Sequence, residues 1–161
     1  MTSAGLDVDR LYRDHGHVVL RRARRILDNE SEAREVTQEV FMSLVENPRQ
    51  FHGRSSVTTF LYAVTTNACL NRLRSTNRRA ALVERHVVPA QRAEAQPVDA
   101  IHASELLARL PERLARVAVY YFVDEMTHDE IASLLGLSRR HVGNLVAEAI
   151  AHAREAVELS A

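Results

Sequence analysis

The 161-residue chain contains no tryptophan, no lysine and a single cysteine, Cys69. One cysteine excludes an internal disulfide and leaves no thiolate cluster for zinc. Five glycines and four prolines are too few for a turn-dense β architecture, and long β-branched runs are missing as well. These absences leave an all-α fold as the expectation. No apolar run approaches the ~20 residues that a bilayer-spanning helix needs. The opening stretch MTSAGLDVDR has no basic segment followed by an apolar core, so no secretory leader is expected and a cytoplasmic location is. Neither a nucleophile motif nor a phosphate loop nor a dinucleotide fingerprint is present, so the chain is not expected to be an enzyme or to carry a cofactor.

What the chain does have is globular composition, 46% hydrophobic and 26% charged. Its 21 arginines are balanced by 21 acids, but not evenly. Residues 1–79 hold 13 Arg against 9 acids, residues 80–103 hold 2 against 3, and residues 104–161 hold 6 against 9. Arginine is the better bidentate ligand for phosphate and guanine, so the basic first half matters more than the neutral total.

Periodicity predicts a helix from Leu11 to about Leu27, with Leu11, Val18, Val19, Ala23, Ile26 and Leu27 inward and Arg21, Arg22, Arg24 and Arg25 on its other faces. Asn29 followed by Glu32 is a capping pattern for the next helix, in which Val36, Val40, Phe41, Leu44 and Val45 form one stripe ending near Asn47-Pro48. A polar loop follows, from Phe51 to Ser56. Helix returns from Val57 to about Arg74, with Phe60, Leu61, Val64, Ala68 and Leu73 inward and a basic end. Residues 80–103 lose the period and read as a linker, with a short helical piece at most at its start. Helix resumes at Ser104.

The most specific local signal is Thr127–Glu148. Thr127 and Glu130 make a capping box. Gly136 supplies the positive φ of a tight helix exit, and Ser138 caps a second helix. Ala132 is small where two helices would cross, and Val142 and Leu145 face back inward. This is the spacing of a helix-turn-helix, with Arg139, Arg140, His141 and Asn144 outward near the start of the second helix. Arg can read guanine there and Asn can read adenine.

With those elements in place, the stretch from LPERLARVAVYYF to VAEAIAHAR resembles region 4 of RNA polymerase sigma factors. The stretch from LYRDHGHVVL to TTNACLNRLR resembles region 2. The order of the halves and the short linker resemble the extracytoplasmic-function type. The resemblance implies two small helical domains, region 2 over 1–79 and region 4 over 104–161, joined by a flexible linker over 80–103. It implies that EVTQEVFMSL docks on the β′ clamp of core RNA polymerase through Glu32, Glu35, Gln38, Glu39 and Phe41. It places Gly53, Arg54, Ser55, Ser56, Thr59, Phe60, Asn67, Asn71, Arg72 and Arg74 at the minus-ten promoter element. Ser138, Arg139, Arg140, His141 and Asn144 would meet the minus-thirty-five element. The β flap of the polymerase and an anti-sigma protein are the further partners implied.

Three departures bear on mechanism. Phe60 and Asn71 stand where the family usually has Trp and often has Asp. Between Arg140 and Arg154 no basic residue follows the first turn of the recognition helix, and Gly143 interrupts it, at a cost of about 1 kcal/mol against Ala. Duplex binding by this half is therefore expected to be weak and shallow in salt dependence. Leu145 and Ile150 serve either the core or a protein partner.

Eight histidines invite a metal site, but His15 and His17 are two apart and His128 and His141 lie on different elements, so none is expected. Cys69 reads as a buried thiol, and Asp124-Glu125 as a polar turn. Two other functions fit parts of the sequence. A free-standing helix-turn-helix regulator would need a sensory domain in front, and residues 1–79 lack its alternating strands. An interaction module derived from a sigma factor fits the neutral charge and the poorly basic recognition helix.

Overall fold

Each helix begins where a short polar side chain can accept from its first unpaired backbone N–H groups. In the computed structural model residues 6–86 and 103–159 are described, and among them the regular structure is entirely helical. Helix α1 (Val8–Leu27) starts at Asp7, whose Oδ1 accepts from the Arg10 N–H at 3.0 Å. It stops at Asp28, which turns left-handed with φ 51°. Helix α2 (Glu30–Glu46) starts one residue later, with Asn29 Oδ1 accepting from the Glu32 N–H. A single 3-10 turn, Pro48–Gln50, leads into the polar loop. Helix α3 (Val57–His86) then runs continuously, well past the expected stop at Arg74. Residues 87–102 of the expected linker lie outside the described residues.

The chain divides into two compact units, Met1–Cys69 and Leu70–Ala161, with the division inside α3. In the first, Leu11, Val19, Ala23, Ile26 and Leu27 of α1 and Ala33, Val36, Val40, Phe41 and Leu44 of α2 are buried. Val45 was expected in this stripe but is 55% exposed. At ~100° per residue it lies about 180° around the helix from Val36. On α3 the buried positions are Leu61, Thr65, Thr66 and Cys69, whereas Val64 and Ala68 are only half-buried. The two threonines are tolerated inside because each hydroxyl donates to a carbonyl one turn back, Leu61 at 2.6 Å and Tyr62 at 2.8 Å.

Arg22 also departs from the expected pattern. It is buried at 5% exposure instead of lying on a solvated face. Its guanidinium donates to Thr66 Oγ1 from Nη2 at 2.8 Å and from Nε at 3.3 Å, and sits 3.6 Å above the Tyr62 ring. A charge leaves water at this depth only with hydrogen bonds and an aromatic face to replace hydration.

In the second unit, α4 (Ala103–Arg109), α5 (Glu112–Ala118), α6 (His128–Leu135) and α7 (Arg139–Glu158) enclose Leu107, Leu114, Val117, Tyr120, Ile131, Val142 and Leu145. Leu145 is thus a core residue. Ile150 is half-buried and lines an apolar groove of about 480 Å³ with Leu106, Leu110, Phe122 and Val157. Helix α5 does not simply end. It widens into a π turn over Val119–Val123, in which the Asp124 N–H donates five residues back to the Val119 carbonyl at 3.0 Å. Glu125 then adopts φ 54°, completing the polar turn read at Asp124-Glu125.

Thr66→Val keeps the shape of the site and removes the acceptor for a buried guanidinium. It is expected to cost about 1–3 kcal/mol, read as a lower urea midpoint at unchanged slope. A second outcome concerns Glu30, which accepts from Arg24 at 2.5 and 2.6 Å and from Arg34 at 2.9 Å. These bonds, Arg24 first, lower its carboxyl from 4.5 to about 2. The folded value is depressed, so the stabilisation is complete above the unfolded value of 4.5 and is lost as pH falls through about 2. Acid unfolding of Glu30→Gln should be flatter than wild type across that window, with the difference shrinking at high salt because the group is exposed.

Candidate nucleic-acid interface

The helix-turn-helix forms because its three local signals agree. Thr127 Oγ1 accepts from the Glu130 N–H, and the Glu130 carboxylate accepts from the Thr127 N–H at 2.7 Å, closing the capping box. The Thr127 backbone N–H, then its hydroxyl, hold the Glu130 carboxyl below its usual range. Gly136 leaves α6 at φ 66°, and Ser138 Oγ accepts from the His141 N–H at 3.2 Å to start α7. Ala132, Val142 and Leu145 are buried at the crossing of α6 and α7.

This frame places Ser138, Arg139, Arg140 and Asn144 in solvent and leaves His141 half-buried. Arg140 and Asn144 are one turn apart on the exposed face, followed on the same row by Glu148. The basic part of the face is therefore one turn long. Arg139 is drawn towards α6, where its Nε lies 3.8 Å from Asp129 Oδ1. Gly143 faces His128, and a methyl group there would meet the imidazole at 3.6 to 3.7 Å, an ordinary contact.

In the first unit, Gly53 (φ 68°), Arg54, Ser55 and Ser56 form an exposed loop. Ser56 already has work in the fold: its Oγ accepts from the Thr59 N–H at 3.1 Å and donates to Thr59 Oγ1 at 2.9 Å, capping α3. Phe60 is half-buried with its ring 5.2 Å from that of Phe51. Asn67 and Asn71 differ in access. Asn71 is exposed, while the Asn67 Oδ1 is buried without a hydrogen-bond partner. Arg72 and Arg74 are half-buried, and one Arg74 nitrogen is buried without a hydrogen bond. Arg54 and Asn71 are the most open polar groups of this set.

On α2, Glu35, Gln38 and Glu39 are exposed and Glu32 is half-buried. Phe41 is not on that surface. It is 5% exposed, with the Tyr12 ring edge-on at 5.0 Å. The exposed apolar residues of this face are instead Met42 at 56% and Val45 at 55%. Glu35, Gln38, Met42 and Val45 fall at three- and four-residue spacings on one side of the helix, a signal present in the sequence and obscured by reading Val45 inward. Among the described residues no group of His, Cys, Asp and Glu could hold a metal, and no helix is long and apolar enough to cross a membrane. Cys69 is buried.

The geometry defines a two-part helical protein with a helix-turn-helix in its second part. The family model for Sigma-70 region 2 matches residues 11–79, and that for Sigma-70, region 4 matches residues 106–155. The two matches take in most of the chain, and the chain belongs to the sigma-70 family of RNA polymerase sigma factors, with the region 2 and region 4 pair of the extracytoplasmic-function type. It is similar to the ECF RNA polymerase sigma factor SigM of Mycobacterium tuberculosis, 31% identical over 113 residues, which are 69% of this chain and 58% of that protein. It is also similar to the sigma factor SigF of the same organism, 43% identical over 53 residues, 33% of this chain and 20% of that one. The chain thus spans little more than half of one relative and a fifth of the other. Two solved structures share the fold. The sigma factor RpoE in complex with the anti-sigma factor NepR from Bartonella quintana matches at TM-score 0.53 and 14% identity, over 94% of this chain and 97% of that one. CnrH in complex with the cytosolic domain of CnrY matches at TM-score 0.53 and 20% identity, over 96% and 89%.

Gly143→Ala should raise stability by about 0.5–1 kcal/mol, since the site has room and a helix interior favours Ala. Gly136→Ala should lower it by about 1 kcal/mol or more, since φ there is 66°. Thermal melts of the two variants, moving in opposite directions, check both.

Proposed function

We propose that this chain binds core RNA polymerase and directs it to promoters, acting by binding and not by catalysis. The observation that carries the reading is the helix-turn-helix, with Arg140 and Asn144 outward, in one chain with a region 2 that offers an exposed loop and a docking face. Residues 1–79 serve as the polymerase-binding and minus-ten half, 80–103 as linker, and 104–161 as the minus-thirty-five half.

In the first half, α2 meets the β′ clamp through Gln38, Met42 and Val45, with Glu32, Glu35 and Glu39 as a charged rim. Exposed apolar side chains within polar surroundings are what a protein contact needs at its centre. Phe41 supports this face from beneath. The Gly53–Ser56 loop and Asn71 receive the unwound strand. Arg54 neutralises phosphate, Thr59 and Phe60 shape the floor, and Arg72 and Arg74 flank it. In the second half, Ser138, Arg139, Arg140, His141 and Asn144 face the duplex, with Arg140 and Asn144 able to reach base edges. The apolar groove between α4, α5 and α7 is suited to the β flap. Regulation by an anti-sigma protein belongs to the proposal, supported by the complex named for the solved relative from Bartonella quintana. A chain that works on RNA polymerase acts in the cytoplasm.

Competition with a housekeeping sigma factor for purified bacterial core polymerase, followed by gel filtration, tests the reading. Wild type should displace the competitor. Met42→Glu with Val45→Glu should weaken displacement by about tenfold or more while far-ultraviolet circular dichroism stays unchanged. Folded wild type that never associates with core would overturn the proposal.

A further inference from the structure

The exposed surface of α7 has two cations before Arg154, and they are not equivalent. Arg140 has no ion-pair partner among the described residues. Arg139 has one: the Asp129 carboxylate on the neighbouring helix, 3.8 Å from its Nε, with the two side chains 72% and 71% exposed. That separation is an ion pair without a hydrogen bond, open to water and readily exchanged. Asp129 is held there by its own position. It is the second residue of α6, where the partial positive charge of the helix start favours an anion. Its neighbour Glu130 is committed to the capping box.

We propose that Asp129 is a built-in competitor for Arg139 that sets the strength of duplex binding by α7. The inference rests on the reading that α7 meets DNA. A phosphate approaching Arg139 must displace a carboxylate that stays beside it and repels it. The contact exchanges one anion for another, so Arg139 adds little to affinity and little to counterion release. Arg140 and Asn144 then carry recognition, and promoter choice depends on the few contacts they make instead of on general attraction to phosphate. Asp129 acts through Arg139 and is a positioning residue, not a DNA contact.

The test uses the full chain and a labelled mixed-sequence duplex of about 25 base pairs, with binding followed by fluorescence anisotropy over roughly 25 to 200 mM KCl. Asp129→Asn should tighten binding about two- to fivefold at low salt, and steepen the plot of log K against log salt by about 0.9. Glu105→Gln, the same charge change on exposed α4, controls for net charge and should do less on both measures. Arg139→Ala should cost little in wild type, and should abolish the gain when added to Asp129→Asn. A gain that survives Arg139→Ala, or one no larger than that of Glu105→Gln, overturns the inference while leaving the DNA-binding reading intact. Arg140→Ala distinguishes the two failures. If it leaves binding unchanged, α7 is not the DNA face and both readings fall together.

Discussion

A helix start exposes backbone N–H groups that nothing within the helix can satisfy, and in this chain the placement of side chains that accept from them organises nearly everything else. Asp7, Asn29, Ser56, Thr127 and Ser138 each take up such an N–H. With few glycines and prolines to punctuate it, the chain relies on these caps to fix where each helix begins, and hence which residues fall on its buried stripe. The caps also sit beside the surfaces that matter. Ser56 ends the exposed loop of the first unit, and Thr127 and Ser138 set the two helices of the helix-turn-helix at their angle. The local geometry of both candidate surfaces is thus decided by single hydroxyls, each typically worth about 1 kcal/mol.

The helix-turn-helix was legible residue by residue because its signals are local. A capping box, a left-handed glycine and a cap lie within a dozen residues, and each implies a backbone conformation by itself. The first unit was legible in outline and less so in detail. Its stripe on α2 was read one residue too wide, which buried Val45 and hid the exposed Met42 beside it. Phe41 was placed on a surface because a resemblance concerns sequence segments, whereas burial depends on which helix packs on which side, here α1 with Tyr12. Arg22 shows the opposite failure. A charged residue was assigned to solvent, and only a threonine 44 positions away could have said otherwise. Long-range partners of this kind leave no periodic trace. The continuation of α3 beyond Arg74 was missed for a third reason: alanines and arginines are good helix formers even where no core rewards them.

A neutral chain can present a basic surface only if its charges are sorted in space. Here many arginines are occupied within the fold. Arg24 and Arg34 share Glu30, Arg116 pairs with Glu112, Arg10 with Asp14, and Arg22 is buried. The excess of arginine over acid in residues 1–79 therefore overstates the positive field available to a nucleic acid. What is left is a sparse set of open groups, Arg54, Asn71, Arg140 and Asn144 among them. A surface of that kind favours selectivity over grip, because each contact is a directed hydrogen-bonding group and few contribute undirected attraction.

The π turn at Val119–Val123 bears on how the length of this chain can vary. Such a turn is geometrically one residue more than an α-helix would use for the same advance. Losing a single residue there would let α5 run on as an ordinary helix, but every residue beyond would be turned by about 100° and drawn back by about 1.5 Å. The aromatic run Tyr120-Tyr121-Phe122 would then trade inside for outside, and the entry to α6 would miss its cap. The two halves of this unit are phased to one another by a count of residues, so an insertion or deletion in this short stretch acts on the orientation of the recognition helix, although none of its side chains belongs to the DNA-facing set.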